Sequence, residues 1–254
     1  MYNTSETFDL PPEGTLGGDT KGSRPHVLLR GCAPGDAVAN LAYASTKGDE
    51  ARRKPRPAVV CVDRDETGYA GTGLTQKTWV YLSRLVISHP SDLKGPRGAL
   101  DSEWEEIRSK LFASFGIGTG TAAHGTAAGS WRGCIVRLTP AFRDELQGAE
   151  HALVVTEPAY SRRRGYQHLV PIYHGADSFG EEDDLVAQGR WVSQIAPGSA
   201  SAFLAIPAVF SGCETGRPRI PGHMAQLTAA VVDQQTMERV DSALVSWFGL
   251  EDLV

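Results

Sequence analysis

The sequence predicts a mainly β protein with a few helices, an α+β chain built as two tandem barrels that each end in one helix. Three observations lead there: the two halves match each other along most of their length; each runs as short strand-like segments followed by a single amphipathic helix; and an uncharged linker separates them. That order of elements suggests a small antiparallel barrel with a helix packed on it, made twice. The 254 residues are enough for two such units. Gly 28 and Pro 15 point to many turns and short elements, not to a bundle of long helices.

The first half opens with TFDLPPEGTLGGDTKGSRPHVLL, Thr7 to Leu29, read as a strand, a polar glycine-rich loop and a second strand entered through Arg24-Pro25. LAYAST (Leu41 to Thr46) and WVYLSRLVI (Trp79 to Ile87) read as further strands. DSEWEEIRSKLFASFGI, Asp101 to Ile117, carries apolar residues at helical spacing and stops at a glycine; Ser102 and Glu105 are spaced for a capping box. IGTGTAAHGTAAGS, Ile117 to Ser130, holds no charge and no apolar period, which reads as a linker. The expected boundaries are 1–117 for the first domain, 118–130 for the linker and 131–254 for the second domain.

The second half repeats this order. GAEHALVV (Gly148 to Val155) lies over GSRPHVLL (Gly22 to Leu29), and LVPIYH (Leu169 to His174) over LAYAST. Ala202 to Ser211 is a diverged counterpart of Trp79 to Ile87. QQTMERVDSALVSWFGL, Gln234 to Leu250, matches the first terminal helix without gaps: Met237 meets Trp104, Val240 meets Ile107, Leu244 meets Leu111, and Phe248-Gly249 meets Phe115-Gly116. Two copies on one linker suggest an intramolecular version of a two-fold dimer, and hence a monomer.

Formal net charge is −5, unevenly spread. Residues 1–128 carry 15 Lys+Arg against 15 Asp+Glu, and residues 129–254 carry 10 against 15. This argues against general coating of nucleic acid while leaving room for a local basic surface. Cys32, Cys61, Cys134 and Cys213 form no Cys-x-x-Cys or Cys/His cluster, so the expectation is buried reduced thiols and no metal site. No apolar stretch approaches the ~20 residues of a membrane span. The start, Met1 to Glu6, has neither the basic residues nor the apolar run of a secretory signal, so a cytoplasmic location and no membrane partner are expected.

Taken in order, these motifs resemble the MazF/PemK (Kid) family of mRNA interferase toxins. The resemblance rests on the proline-bearing opening strand with its glycine-rich loop and Arg24-Pro25, and on the strand that ends in Ser45-Thr46. It rests also on TGLTQKTWVYLSRL (Thr72 to Leu85), on the Gly98-Ala99-Leu100 entry to the final helix, and on SWRGCIVRLTP (Ser130 to Pro140) opening the second copy. It implies SH3-like, MazF/CcdB-like barrels that pair, here as an intramolecular pseudo-dimer. It also implies sequence-specific cleavage of single-stranded RNA without a metal or other cofactor, by attack of a ribose 2′-hydroxyl on the adjacent phosphate. A further implied partner is an antitoxin protein, as in a type II toxin–antitoxin system.

Carried over residue by residue, the resemblance makes Arg24 the group that steadies the phosphorane and Ser45 or Thr46 its hydroxyl assistant. A planar, permanently charged guanidinium suits phosphate oxygens, and Pro25 fixes the backbone beside it. Thr20 and Lys21 in the loop before Arg24, and Arg52, Arg53, Lys54 and Arg56 soon after Thr46, are the expected grips on the RNA backbone. Lys77, Arg84 and the run Arg162, Arg163, Arg164 complete the expected RNA contacts. His26, Glu13 and Asp19 are alternative general bases. Without the family order, Arg24-Pro25 reads as a turn, Ser45-Thr46 as a strand end, and the basic runs as solvated loops.

The second copy has Glu150-His151 where the first has Arg24-Pro25, and Tyr173-His174 where the first has Ser45-Thr46. A glutamate facing a phosphate repels it, so the second copy is expected to be silent. Glu181-Glu182-Asp183-Asp184 points the same way, and His151 and His174 read as surface histidines or as a separate pair. The competing reading is a non-catalytic binding module of the same fold, either an inactive RNA- or antitoxin-binding regulator or a gyrase poison like CcdB that acts through Trp247-Phe248-Gly249 near the C-terminus.

Overall fold

The computed structural model describes residues 1–10, 24–36, 38–46, 58–119, 131–140, 143, 146, 148–157, 167–174, 191–193, 202–212 and 225–254. The chain is mainly β, with two sheets and few helices, and it divides into two units, Met1–Ser114 and Phe115–Asp252.

In the first unit, β1 (Glu6–Leu10), β2 (Arg24–Leu28), β3 (Ala39–Ser45), β4 (Val59–Val62), β5 (Thr78–Ser88) and β6 (Gly98–Ala99) form one sheet in the order β4-β5-β3-β2-β1-β6. β3 and β5 are buried along nearly their whole length, so they do not show the polar alternation of a half-exposed strand. Apolar residues on one side gather as Phe8, Leu10, Leu28, Leu41, Val86 and Leu93, with Tyr2 packed against them. Gly98 is needed where β6 crosses a loop: a Cβ there would lie 2.1 Å from the Gly71 carbonyl oxygen.

Helix α1 (Trp104–Phe115) follows β6 through a 3₁₀ turn at Asp101–Glu103. The turn's cap is Leu100, which makes no side-chain hydrogen bond, and Ser102 lies inside the turn; the expected Ser102–Glu105 capping box is therefore replaced. Instead Glu103 accepts from Arg64 Nε at 3.0 Å, tying the end of β4 to the start of the helix. Lys110 Nζ donates to the Val59 carbonyl at 2.9 Å about two turns further along the helix. Ile107, Leu111 and Phe115, four residues apart, are all fully buried, as the sequence spacing requires.

The second unit contains β7 (Cys134–Leu138), β8 (His151–Val154), β9 (Gln167–His174), β10 (Trp191–Ser193), β11 (Ala202–Ala205), β12 (Phe210–Gly212) and β13 (Ala225–Val231). Its sheet runs β10-β11-β9-β8-β7-β13, with β12 also on β9. With β11 and β12 taken as the two parts of one strand, this is the strand order of the first unit.

The register agrees residue by residue. His26↔Tyr43, Val27↔Ala42 and Leu28↔Leu41 in the first unit correspond to Ala152↔Pro171, Leu153↔Val170 and Val154↔Leu169 in the second. Ser45↔Trp79 corresponds to Tyr173↔Phe203, and Leu41↔Val86 to Leu169↔Phe210. Even a backbone oddity recurs: Ser5 has φ 69°, and its amide donates to the Leu28 carbonyl, while Gly133 has φ 83° and donates to the Val154 carbonyl.

Helix α2 (Gln234–Phe248) is capped by Asp233, whose carboxylate accepts from the Thr236 amide at 2.7 Å. Met237, Val240, Leu244 and Phe248 are buried, and Gly249 closes the helix in the left-handed region at φ 62°. Beneath α2, the fully buried Arg132 pairs with Asp241 and donates through Nε to the Phe115 carbonyl at 3.1 Å. Gly118 N–H donates to the other Asp241 oxygen at 2.9 Å. Burial pushes the Asp241 carboxyl up and the Arg132 guanidinium down, and their mutual attraction offsets part of each. Most of the expected linker, 120–130, lies outside the described residues.

Cys32 and Cys134 are buried free thiols, as expected. Cys61 is exposed, because in β4 it takes the outward position between buried Val60 and Val62. Cys213 lies outside the described residues.

Candidate functional site

Arg24 begins β2, opposite Leu10 of β1. Side chains alternate along a strand, so Arg24 and His26 share one face. On the neighbouring strand the same holds for Tyr43 and Ser45. His26 stands opposite Tyr43, the last pair between these two strands, and Arg24 and Ser45 each lie two residues beyond it. Tyr43 and Ser45 in turn stand opposite Tyr81 and Trp79 of β5. Three adjacent strands thus bring one cation, one hydroxyl, one imidazole and three aromatic rings to a single stretch of the sheet. Thr46 lies one residue past the end of β3, in a bend.

His26 holds its neighbours by two contacts. Its Nδ1 lies 2.9 Å from the Arg24 carbonyl. A carbonyl only accepts, so Nδ1 carries the proton and donates it. The ring also meets Tyr43 edge-on, with centroids 5.6 Å apart. At 2% exposure His26 is a supporting residue beneath Arg24.

The register of β3 with β5 shifts between Ala42↔Leu85 and Tyr43↔Tyr81, so Leu82, Ser83 and Arg84 are extra residues on the β5 side. Such a bulge bends its strand and re-aims a side chain. Here it sets the Arg84 guanidinium 5.2 Å from the Tyr43 ring centre and 5.9 Å from that of Tyr81, both within cation–π range. The two tyrosine rings are themselves 5.9 Å apart. Lys77 lies 5.7 Å from the Trp79 ring and also pairs with Asp63. Trp79, Tyr81 and Ser45 are buried, while Arg24, Tyr43 and Arg84 are partly exposed. The partly exposed members are therefore two guanidiniums and one aromatic ring, backed by a packed aromatic wall.

Of the residues expected from the sequence, Arg24, Ser45 and Arg84 are brought together, and Lys77 sits at the Trp79 end. Thr20, Lys21, Arg52, Arg53, Lys54, Arg56, Arg162, Arg163 and Arg164 lie outside the described residues, as do Glu13, Asp19 and Glu181 to Asp184. Tyr43 and Tyr81 are additions that sequence reasoning misses. Their signal is the alternation of aromatic residues in LAYAS and TWVYLSR, which becomes a site only when the cross-strand register is known.

The equivalent stretch of the second unit keeps an aromatic residue, Phe203, in the place of Trp79 but has none of the arginine, histidine, serine or paired tyrosines. By register, Arg24, His26, Tyr43, Ser45 and Tyr81 correspond to Glu150, Ala152, Pro171, Tyr173 and Ala205. The bulge Leu82–Arg84 corresponds to a 3₁₀ turn, Ile206–Ala208, which puts Ala208 in the place of Arg84. Glu150 is paired with Arg143 at 3.4 Å. His151 stands opposite Ile172 and His174 opposite Ala202, so these two histidines are not a cross-strand pair.

Trp247 and Phe248 are buried, with Phe248 against Phe115 at 5.3 Å between ring centres; both serve the core. Among the described residues no cluster of three or more potential metal ligands occurs, and no helix is long and apolar enough to cross a membrane. No protein-family model matches the chain, and no curated protein matches it.

Proposed function

We propose that the chain is a MazF/PemK-type endoribonuclease with two tandem SH3-like copies acting as an intramolecular pseudo-dimer, and that only the first copy cuts. The observation that carries this reading is that Arg24 and Ser45 lie on adjacent strands, each two residues beyond the His26↔Tyr43 pair, while a second unit of the same strand order has Glu150 and Tyr173 at those places. The second sheet keeps the register without these residues, so the fold does not require them.

In the reaction the ribose 2′-oxygen forms a bond to the adjacent phosphorus and the bond to the 5′-oxygen breaks. A cyclic phosphate and a 5′-hydroxyl result. One proton leaves the 2′-hydroxyl and one arrives on the departing oxygen. Arg24 supplies N–H donors to the phosphorane oxygens, where charge is greatest, and Ser45 adds a hydroxyl donor. His26 positions Arg24 through its carbonyl. Each fixed donor of this kind is worth roughly 10²–10³ in rate. On this reading the partners are single-stranded RNA and an antitoxin protein, no cofactor takes part, and the protein works in the cytoplasm as the toxin of a type II pair.

The test is incubation of the full-length protein with a mixed RNA pool in EDTA, followed by mapping of new 5′-hydroxyl ends. Ends at recurring short sequences that vanish with Arg24→Ala support the enzyme. RNA that is bound but left intact replaces it with the inactive binding module.

A further inference from the structure

We infer that Arg84, clasped by Tyr43 and Tyr81, forms a second phosphate subsite that grips the single strand next to the Arg24–Ser45 position; this rests on the RNA reading above. Three observations converge. A three-residue insertion in β5 turns Arg84 back over the sheet, 5.2 Å from one tyrosine ring and 5.9 Å from the other. A guanidinium held against ring faces keeps its N–H donors in its own plane, the geometry in which it meets phosphate oxygens. The second unit has a backbone irregularity at the same place in its sheet, yet carries Ala208, Pro171 and Ala205 for Arg84, Tyr43 and Tyr81. Cation and clasp are absent there together, along with the arginine and serine they adjoin.

Tyr43 links the two positions. It lies beside Ser45 on β3, opposite His26 on β2 and opposite Tyr81 on β5. A strand whose scissile phosphate meets Arg24 and Ser45 runs past Tyr43 and presents its next phosphate to Arg84. Restraint by the rings matters because an arginine held in place loses less conformational freedom when it binds.

Binding of a fluorescein-labelled single-stranded RNA, made uncleavable by 2′-O-methyl groups, tests this by anisotropy at several KCl concentrations. The full-length protein is compared with Arg84→Gln, Arg84→Lys and Tyr43→Leu, each checked for a cooperative thermal transition. Arg84→Gln is expected to weaken binding roughly tenfold and to lower the slope of log K against log[salt] by about 0.7, the value for one phosphate on a single strand. Arg84→Lys restores the slope but only part of the affinity, and Tyr43→Leu weakens binding with the slope unchanged. A wild-type slope in Arg84→Gln, in a protein that still cleaves unmodified RNA, overturns the subsite and leaves the enzyme reading standing. A wild-type protein that neither binds nor cuts RNA overturns both.

Discussion

On the proposed endoribonuclease reading, Arg24 acts through what stands around it: Pro25 sets the backbone, His26 donates to its carbonyl, and Ser45 lies on the adjacent strand. Charge alone would survive in Arg24→Lys, but the planar fork would not, so this variant is expected to keep RNA binding while losing roughly tenfold to a hundredfold in cleavage rate under single-turnover conditions. Local motifs suffice to single out Arg24 and Ser45. They do not show that β3 ends between Ser45 and Thr46, since that depends on the pairing with β5. A second residue-scale prediction concerns His168, whose Nδ1 lies 2.9 Å from the Ser211 hydroxyl and whose ring meets Phe115. Full burial pushes it from the ordinary 6.5 down to about 3. The folded chain keeps the ring neutral while the unfolded chain takes a proton, so this contribution is complete above pH 6.5 and is lost as pH falls from there toward 3. The loss is at most about 1.4 kcal/mol per pH unit. Urea melts from about pH 7 to about pH 4.5 should show it, and His168→Asn should flatten that part of the slope.

At the scale of elements, both terminal helices are legible in the sequence because a four-residue apolar period ending in glycine is a local signal. Gly116 at φ 60° and Gly249 at φ 62° play the same left-handed role, but their surroundings differ. A Cβ at Gly249 meets nothing within 4 Å, whereas one at Gly116 would lie 2.7 Å from Glu157 Cα. Gly249→Ala should therefore cost about 1 kcal/mol, the backbone term alone, and Gly116→Ala clearly more, as read from urea midpoints. The capping box fails because the chain enters α1 through a 3₁₀ turn and Glu103 goes to Arg64 instead. Nor does the sequence reveal the bulge at Leu82–Arg84 or the Arg132–Asp241 pair, since both depend on partners far along the chain. Asp241→Asn leaves a fully buried guanidinium without its counter-ion and should destabilise by roughly 3–5 kcal/mol. The double variant Arg132→Met/Asp241→Leu should recover most of that in the same denaturation experiment, because an apolar pair leaves no buried charge.

For the whole molecule, the repeat is legible in the amino-acid order alone, and the shared strand order and register give it physical content. One sheet order is built from two sets of residues, with core apolar positions kept and the polar ones replaced. The uneven charge follows the same division: the half with no net charge carries Arg24, Ser45 and Arg84, and the half with 10 basic against 15 acidic residues carries Glu150 in the place of Arg24. The most direct measurement of a single working copy compares Arg24→Ala with Glu150→Ala in one RNA-cleavage assay in EDTA. Arg24→Ala should lose at least about a hundredfold in rate, while Glu150→Ala, which removes only an exposed pair with Arg143, should cut like the wild type. Equal losses in the two variants, or cleavage that Arg24→Ala leaves intact, would contradict it.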